Sequence, residues 1–248
     1  MIANYHTHTR WCRHADGEIE DYIQEALRRG LKALAITDHV PHRGNFDPRR
    51  MQWEEFAPFN DELDRMKEKY EGQIHLIKGF ECEYYPSALE DYRTFREKYG
   101  YGLLILGQHT SKDRSQDNFA PKGERELEQY ADEVIEGLET GLFTFLAHPD
   151  VALCGYHETD AFAIGQMRRI FAACERLEIP VEINANGFRD GRRYPDRQVW
   201  EASRDYRLTY LINSDAHYVP DLCDEAGVGG TEAFARELGI AVTEWMDW

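Results

Sequence analysis

Leu103-Leu104-Ile105-Leu106-Gly107-Gln108-His109 is four aliphatic residues running into a glycine, an amide and a histidine. A run this short and this apolar reads as a strand buried on both faces. The same order recurs along the chain. Ala33-Leu34-Ala35-Ile36 runs into Thr37-Asp38-His39, Phe145-Leu146-Ala147 into His148-Pro149-Asp150, and Ile212-Asn213-Ser214 into Asp215-Ala216-His217, while the first run closes on Tyr5-His6-Thr7-His8. Strands are expected at 2–6, 32–37, 74–80, 102–108, 142–147, 180–184 and 209–213. Amphipathic stretches between them predict helices at 18–29, 54–70, 87–99, 124–140, 159–176, 196–206 and 231–238. The first helix shows the basis. Asp16-Gly17-Glu18 places acid at its start, Ile19, Tyr22, Ile23, Ala26 and Leu27 form one apolar stripe, and Gly30 ends it. Repeated βα units with no Pro/Gly/Ser-rich linker predict one α/β barrel or open parallel sheet, in a single domain over 1–248.

The 42% hydrophobic and 30% charged content fits a globular protein with a substantial core, and no apolar stretch is long enough to span a bilayer. Met1-Ile2-Ala3-Asn4-Tyr5-His6 lacks the basic and apolar regions of an export signal, so a cytoplasmic location is expected. Five cysteines without a Cys-x-x-Cys pair give no disulfide framework. The formal charge of −17 counts against a polynucleotide partner.

Parallel barrel strands open their carboxyl ends onto one face, where active sites are built. Seven of the ten histidines fall at or just beyond such ends, whereas His42, His75 and His157 do not. Neutral imidazole is the commonest metal ligand, so the placement predicts a metal cluster. His6 and His8 are two apart, on one side of a strand, and Asp215 and His217 repeat the spacing. A carboxylate is needed to hold cations close together; Glu81, at the end of Leu76-Ile77-Lys78-Gly79-Phe80-Glu81, is the best candidate bridge and Glu83 the second. Gly79 and Gly107 stand where backbone is expected to pass close to a ligand. Segments 40–53 and 110–123 read as long loops on the rim of the site. The apolar chain end, Trp245, Met246 and Trp248, is expected to pack under the barrel's amino-end face, with contact to another subunit the alternative.

The ordered set His6-x-His8, His14, Thr37-Asp38-His39, Gly79-x-Glu81, His109, His148-Pro149 and Ser214-Asp215-x-His217 resembles the PHP (polymerase and histidinol phosphatase) superfamily over nearly the whole chain. Glu182-Ile183-Asn184-Ala185-Asn186-Gly187-Phe188-Arg189, Arg193-Tyr194-Pro195 and Glu81-Cys82-Glu83-Tyr84-Tyr85-Pro86 are most similar to its monofunctional histidinol-phosphate phosphatases; the branch's Gly-Ser-Val-His is here Gly107-Gln108-His109. The resemblance implies a distorted (β/α)7, TIM-like barrel with a trinuclear centre of divalent transition-metal ions. It implies His6, His8, Glu81 and Asp215 around one ion, Glu81, His109 and His148 around a second, and His14, His39 and His217 around a third. Imidazole and carboxylate without cysteine suit Zn, Mn or Fe.

The implied activity is hydrolysis of a small phosphomonoester, L-histidinol phosphate in histidine biosynthesis, with another phosphorylated metabolite or 3′–5′ exonuclease chemistry as the alternative. Glu81, Asp215, His217 and Arg189 are the expected catalytic residues. Arginine forks match phosphate oxygens, which puts Arg189 first among the expected substrate contacts, followed by Arg193, Lys112 and Arg43; His42 and Glu83 complete the set.

Overall fold

The computed structural model describes residues 1–248. Seven parallel strands form one sheet in chain order: β1 (Ala3–Asn4), β2 (Ala33–Ile36), β3 (His75–Cys82), β4 (Leu103–Leu106), β5 (Phe145–Leu146), β6 (Val181–Asn184) and β7 (Tyr210–Asn213). Each lies on an expected apolar run, and β3 extends two residues further, to carry Glu81. The sheet curls into a nearly closed barrel, wrapped by α1 (Ile19–Arg29), α2 (Phe56–Lys69), α3 (Leu89–Tyr99), α4 (Glu124–Glu139), α5 (Ala161–Leu177), α6 (Ala185–Arg189), α7 (Arg197–Ser203) and α8 (Gly230–Glu237). Helix α1 starts on a capping box between Glu18 and Asp21 and stops on Gly30 at φ 81°, as its sequence predicts. Helix α6 was not expected. It turns directly out of β6, with Asn184 Oδ1 accepting the Gly187 amide at 2.9 Å.

Period-2 alternation divides the core in two. Outward residues such as Leu34, Ile36, Phe80, Leu104 and Leu106 join the helices in a cluster of 55 buried side chains. Inward residues form a smaller cluster of 10, which includes Tyr5, Ala35, Ile77, Ile105, Phe145 and Leu211. Further along the same inward file of β3 come Gly79 and then Glu81, so the alternation that fills the barrel also delivers the carboxylate to its carboxyl end.

Strands β1 and β7 face each other across the last seam without a backbone ladder at their centre. Two asparagine side chains span it instead: Tyr5 N–H donates to Asn213 Oδ1 at 2.8 Å, and Ser214 N–H donates to Asn4 Oδ1 at 2.7 Å. Backbone pairing resumes above them, where His8 N–H donates to Ala216 O at 2.9 Å. At the other end of the barrel, Val242 pairs beside Tyr210, and Met246 and Trp248 pack on the inner cluster. Trp248 meets Tyr5 edge-on at 5.7 Å, as expected for an apolar chain end, while Trp245 stays exposed. No helix is long and apolar enough to cross a membrane.

Candidate metal centre

The strand ends bring the expected ligands together. His6 Nε2 and His8 Nε2 are 3.1 Å apart; Glu81 Oε2 lies 3.5 and 3.3 Å from them and Asp215 Oδ1 3.5 and 3.1 Å. A tetrahedron with metal–ligand bonds of ~2.0–2.1 Å has edges of about 3.3–3.4 Å, and these five separations fall close to that length. Glu81 turns its other oxygen, Oε1, to His148 Nε2 at 2.9 Å and His109 Nε2 at 3.2 Å. The one carboxylate therefore addresses two histidine sets. A third set forms around His8, whose ring lies 4.7 Å from that of His39 and 4.4 Å from that of His217, with His14 beside the latter two at 5.2 and 5.0 Å. His8, His39 and His217 offer ligand atoms within 4.8 Å of one another.

The donor chemistry fits a cation. His6 Nδ1–H donates to Glu182 Oε1 at 2.9 Å, which leaves its Nε2 lone pair facing His8. His14 and His217 likewise spend Nδ1–H on backbone carbonyls, of Cys12 at 2.6 Å and of Asp215 at 3.0 Å. His8 Nδ1, His148 Nδ1 and Asp215 Oδ1 are buried without a hydrogen-bond partner. Burial alone would strip His6 of its proton, but Glu182, Asp215 and Glu81 outweigh it and raise His6 to about 10. His109 rises to about 9 against burial because of Glu81 and Glu83, and Glu81 itself is held far below the usual carboxylate range despite burial by His109, His39 and His6. Burial and the neighbouring His8 push His217 down to about 3. The cluster thus demands positive charge and cannot protonate all its rings at once.

Backbone geometry shows how tightly the cluster is drawn in. His148 and Asp215 adopt φ 29° and 45°, a region that non-glycine residues rarely occupy and that concentrates at functional sites. A Cβ on Gly107 would stand 2.1 Å from Glu81 Oε1, so only glycine admits that carboxylate. Gly79 is glycine for packing instead: its Cβ would meet Thr37 Cγ2 at 2.7 Å.

The cluster floors a polar cavity of about 780 Å³. Both long loops reach its rim, 40–53 with Asp47, Arg49 and Arg50, and 110–123 with Arg114, Asp117 and Phe119; Asp190, Arg192, Tyr194, Tyr218 and Asp221 complete the far wall. The structure moves several expected substrate contacts away from this wall. Arg189 forks onto Asp224, at 2.7 and 3.0 Å, because the unexpected helix α6 points Asn186 into the cavity and turns Arg189 behind it. Arg193 bonds Tyr156 O and Thr159 Oγ1, Lys112 pairs with Glu136 at 2.6 Å on the surface, and Arg43 pairs with Asp91 at 2.9 Å and stacks on Trp53. His42 is buried against Phe46 and Tyr85. Glu83 sits behind His109, accepting from its Nδ1 at 2.9 Å and pairing with Arg50 at 2.7 Å. It braces the His109 ring and does not line the cavity.

Other polar groups at the site lie in the Glu182–Arg189 stretch quoted above, where the sequence assigned no role to Glu182, Asn184 or Asn186. Glu182 accepts four donors: His6 Nδ1, Asn213 Nδ2, the His148 amide and Asn184 Nδ2. Asn184 and Asn186 hold Asp215 Oδ2 at 3.1 and 3.3 Å and so aim its other oxygen at the histidines. A charged residue in the middle of an apolar strand is the signal that marks Glu182, since burying it demands partners.

A model of the PHP domain family matches residues 4–186. A Deinococcus radiodurans protein named "Probable histidinol-phosphatase" is 25% identical over 229 residues, 87% of this chain and 86% of that protein. A Citrobacter koseri protein named "Probable phosphatase" is 25% identical over 220 residues, 87% of this chain and 78% of that protein. Among solved structures, the histidinol phosphate phosphatase of Lactococcus lactis in complex with Zn, L-histidinol and phosphate matches with a TM-score of 0.76 at 15% identity, covering 97% of this chain and 94% of that one; the likeness is one of fold. Because the family match runs through the strands that carry most of the histidine cluster, this protein belongs to the PHP domain family.

Proposed function

We propose that this PHP-family phosphoesterase is a metal-dependent phosphomonoesterase acting on L-histidinol phosphate, in the cytoplasm, as a step of histidine biosynthesis. The observation that carries the reading is Glu81, whose two oxygens face separate histidine sets beneath an arginine-bearing cavity. Divalent Zn, Mn or Fe ions held by His6, His8, Glu81, Asp215, His109, His148, His39, His217 and His14 would offset phosphate charge and make water a nucleophile near neutral pH. Arg192 takes the phosphate-binding role first expected of Arg189. Asp190 at 2.6 Å and the Tyr194 hydroxyl at 3.0 Å take one N–H from each terminal nitrogen and hold the guanidinium at the cavity wall, which leaves three of its five N–H donors for a phosphate oxygen. Asp117 and Asp221 offer partners for the ammonium and imidazole of histidinol, and the exposed Tyr218 ring a face to stack on.

A second reading has its own observation. Arg114 stands at the rim over the Phe46 ring, 4.1 Å from its centroid, held by aromatic faces. That guanidinium suits a substrate with a further anionic group, which histidinol phosphate lacks. Steady-state kinetics on histidinol phosphate beside a bisphosphorylated sugar, p-nitrophenyl phosphate and an oligonucleotide, with and without Mn²⁺ or Zn²⁺, tests both. The first reading requires kcat/KM for histidinol phosphate to exceed the others at least a hundredfold. Preference for the bisphosphate supports the second, and absence of any metal-stimulated hydrolysis overturns both.

A further inference from the structure

On the reading of the cluster as a metal centre, we infer that Asn213 is a positioning residue for it: one amide closes the β1–β7 seam and holds Glu182 against His6. Its Oδ1 accepts the Tyr5 amide at 2.8 Å, and its Nδ2 donates to Glu182 Oε1 at 3.0 Å, the same oxygen that accepts His6 Nδ1–H at 2.9 Å. Asn213, Glu182 and His6 are all fully buried. Glu182 is braced from the other side, since its second oxygen accepts the His148 amide at 3.2 Å and Asn184 Nδ2 at 2.9 Å. With four donors on two oxygens the carboxylate has one orientation, and that orientation fixes which nitrogen of His6 faces the cluster.

The residue type follows from the chemistry. The position needs an acceptor toward the strand-β1 backbone and a donor toward a carboxylate on one short side chain, which asparagine supplies. Aspartate keeps the acceptor for Tyr5 but faces Glu182 with like charge. A leucine would leave the buried Tyr5 amide and one Glu182 lone pair unsatisfied. The seam function and the His6 function are therefore separable: Asn213→Asp preserves the first and reverses the second. Asn4, the other seam amide, donates to His6 O and Thr7 Oγ1 and has no bond to Glu182.

Cobalt(II) titration of metal-stripped protein, followed by the visible ligand-field bands of the bound ion, reads the effect without any turnover. Circular dichroism melts of the stripped proteins run alongside. Loss of a partner of this kind weakens metal binding ~10–100-fold, so Asn213→Asp is expected to bind cobalt at least tenfold more weakly than wild type and with altered band intensities. Should that variant not fold, Asn213→Ser, neutral and too short to reach Glu182, is held to the same threshold. A folded variant with a lowered melting temperature but cobalt affinity within threefold of wild type makes Asn213 a seam residue only and overturns the inference. A wild-type protein that develops no cobalt bands overturns the metal-centre reading and this inference with it.

Discussion

Substituting Gly107 by alanine tests the cluster through a single methyl group. The Cβ would lie 2.1 Å from Glu81 Oε1, 2.8 Å from Glu81 Cδ and 2.9 Å from His109 Cε1. Ordinary contact begins near 3.4 Å, so the carboxylate oxygen must retreat by about 1.3 Å, whereas coordination tolerates displacements of only ~0.2 Å. Gly107 has no positive φ, so alanine does not strain the backbone there. The clash falls on the far end of a glutamate that can swing on its own torsions, so the cost is borne by the cluster and the fold is largely spared. Misplacing a reacting constellation by ~1 Å costs about a hundredfold in rate. Gly107→Ala should therefore retain its melting temperature within a few degrees in metal-stripped form, bind at least one fewer metal equivalent by elemental analysis after dialysis, and lose a hundredfold or more in kcat/KM. If it binds the wild-type complement of metal and keeps kcat/KM within threefold, Glu81 does not bridge the two histidine sets.

Arg192→Ala should lower kcat/KM for the phosphomonoester about a hundredfold, on the order of the ~3 kcal/mol that a charge-assisted bond supplies. Arg189→Ala should leave kcat/KM within severalfold and instead destabilise the fold by ~1–3 kcal/mol in urea melts, because its fork on Asp224 is what it loses; the opposite pattern would restore Arg189 as the phosphate ligand. Dialysis against chelator should abolish turnover and Mn²⁺ or Zn²⁺ should restore it, with activity unaffected by chelation as the contrary result. The stripped protein should also show a two-sided pH dependence. His6 and His109, raised to about 10 and about 9, contribute stability that is complete below the unfolded histidine value of ~6.5 and is lost as pH climbs through 9 to 10. His217, pushed down to about 3, contributes stability that is present above ~6.5 and is lost as pH falls toward 3. Melts at pH 5, 7 and 10 check this, and a melting temperature that rises from 7 to 10 contradicts it.

Strand positions and the cluster of imidazoles and carboxylates at their ends were legible in the sequence because two simple signals coincide: an apolar run marks a buried strand, and a histidine or acid at its end faces the open rim. His109, His148 and Asp215 need no more than that. What lay outside the sequence depends on rotation about an axis and on contacts across the barrel. Arg189 and Arg192 are three residues apart, and only the turn of α6, a five-residue helix with Gly187 at its centre, decides which of them meets the cavity. Glu182 and Asn213 resemble interruptions in apolar strands until β1 is placed opposite β7 and their partners come into reach. Arg50 is invisible for the same reason, since Glu83, its carboxylate, is 33 positions away in the chain.

If Glu81 holds an ion on each of its oxygens, the two sites cannot fill independently. An ion on either histidine set would fix the side chain that the other set also needs, while two dications on one carboxylate would repel each other, so the two sites would be coupled, by the same amount in both directions. The shape of a metal titration reads which effect wins: a sigmoidal curve where the shared orientation of Glu81 dominates, and two separated steps where repulsion between the cations does. In the first case scarcity of metal would act as a threshold, removing active copies outright; in the second it would leave half-filled molecules behind.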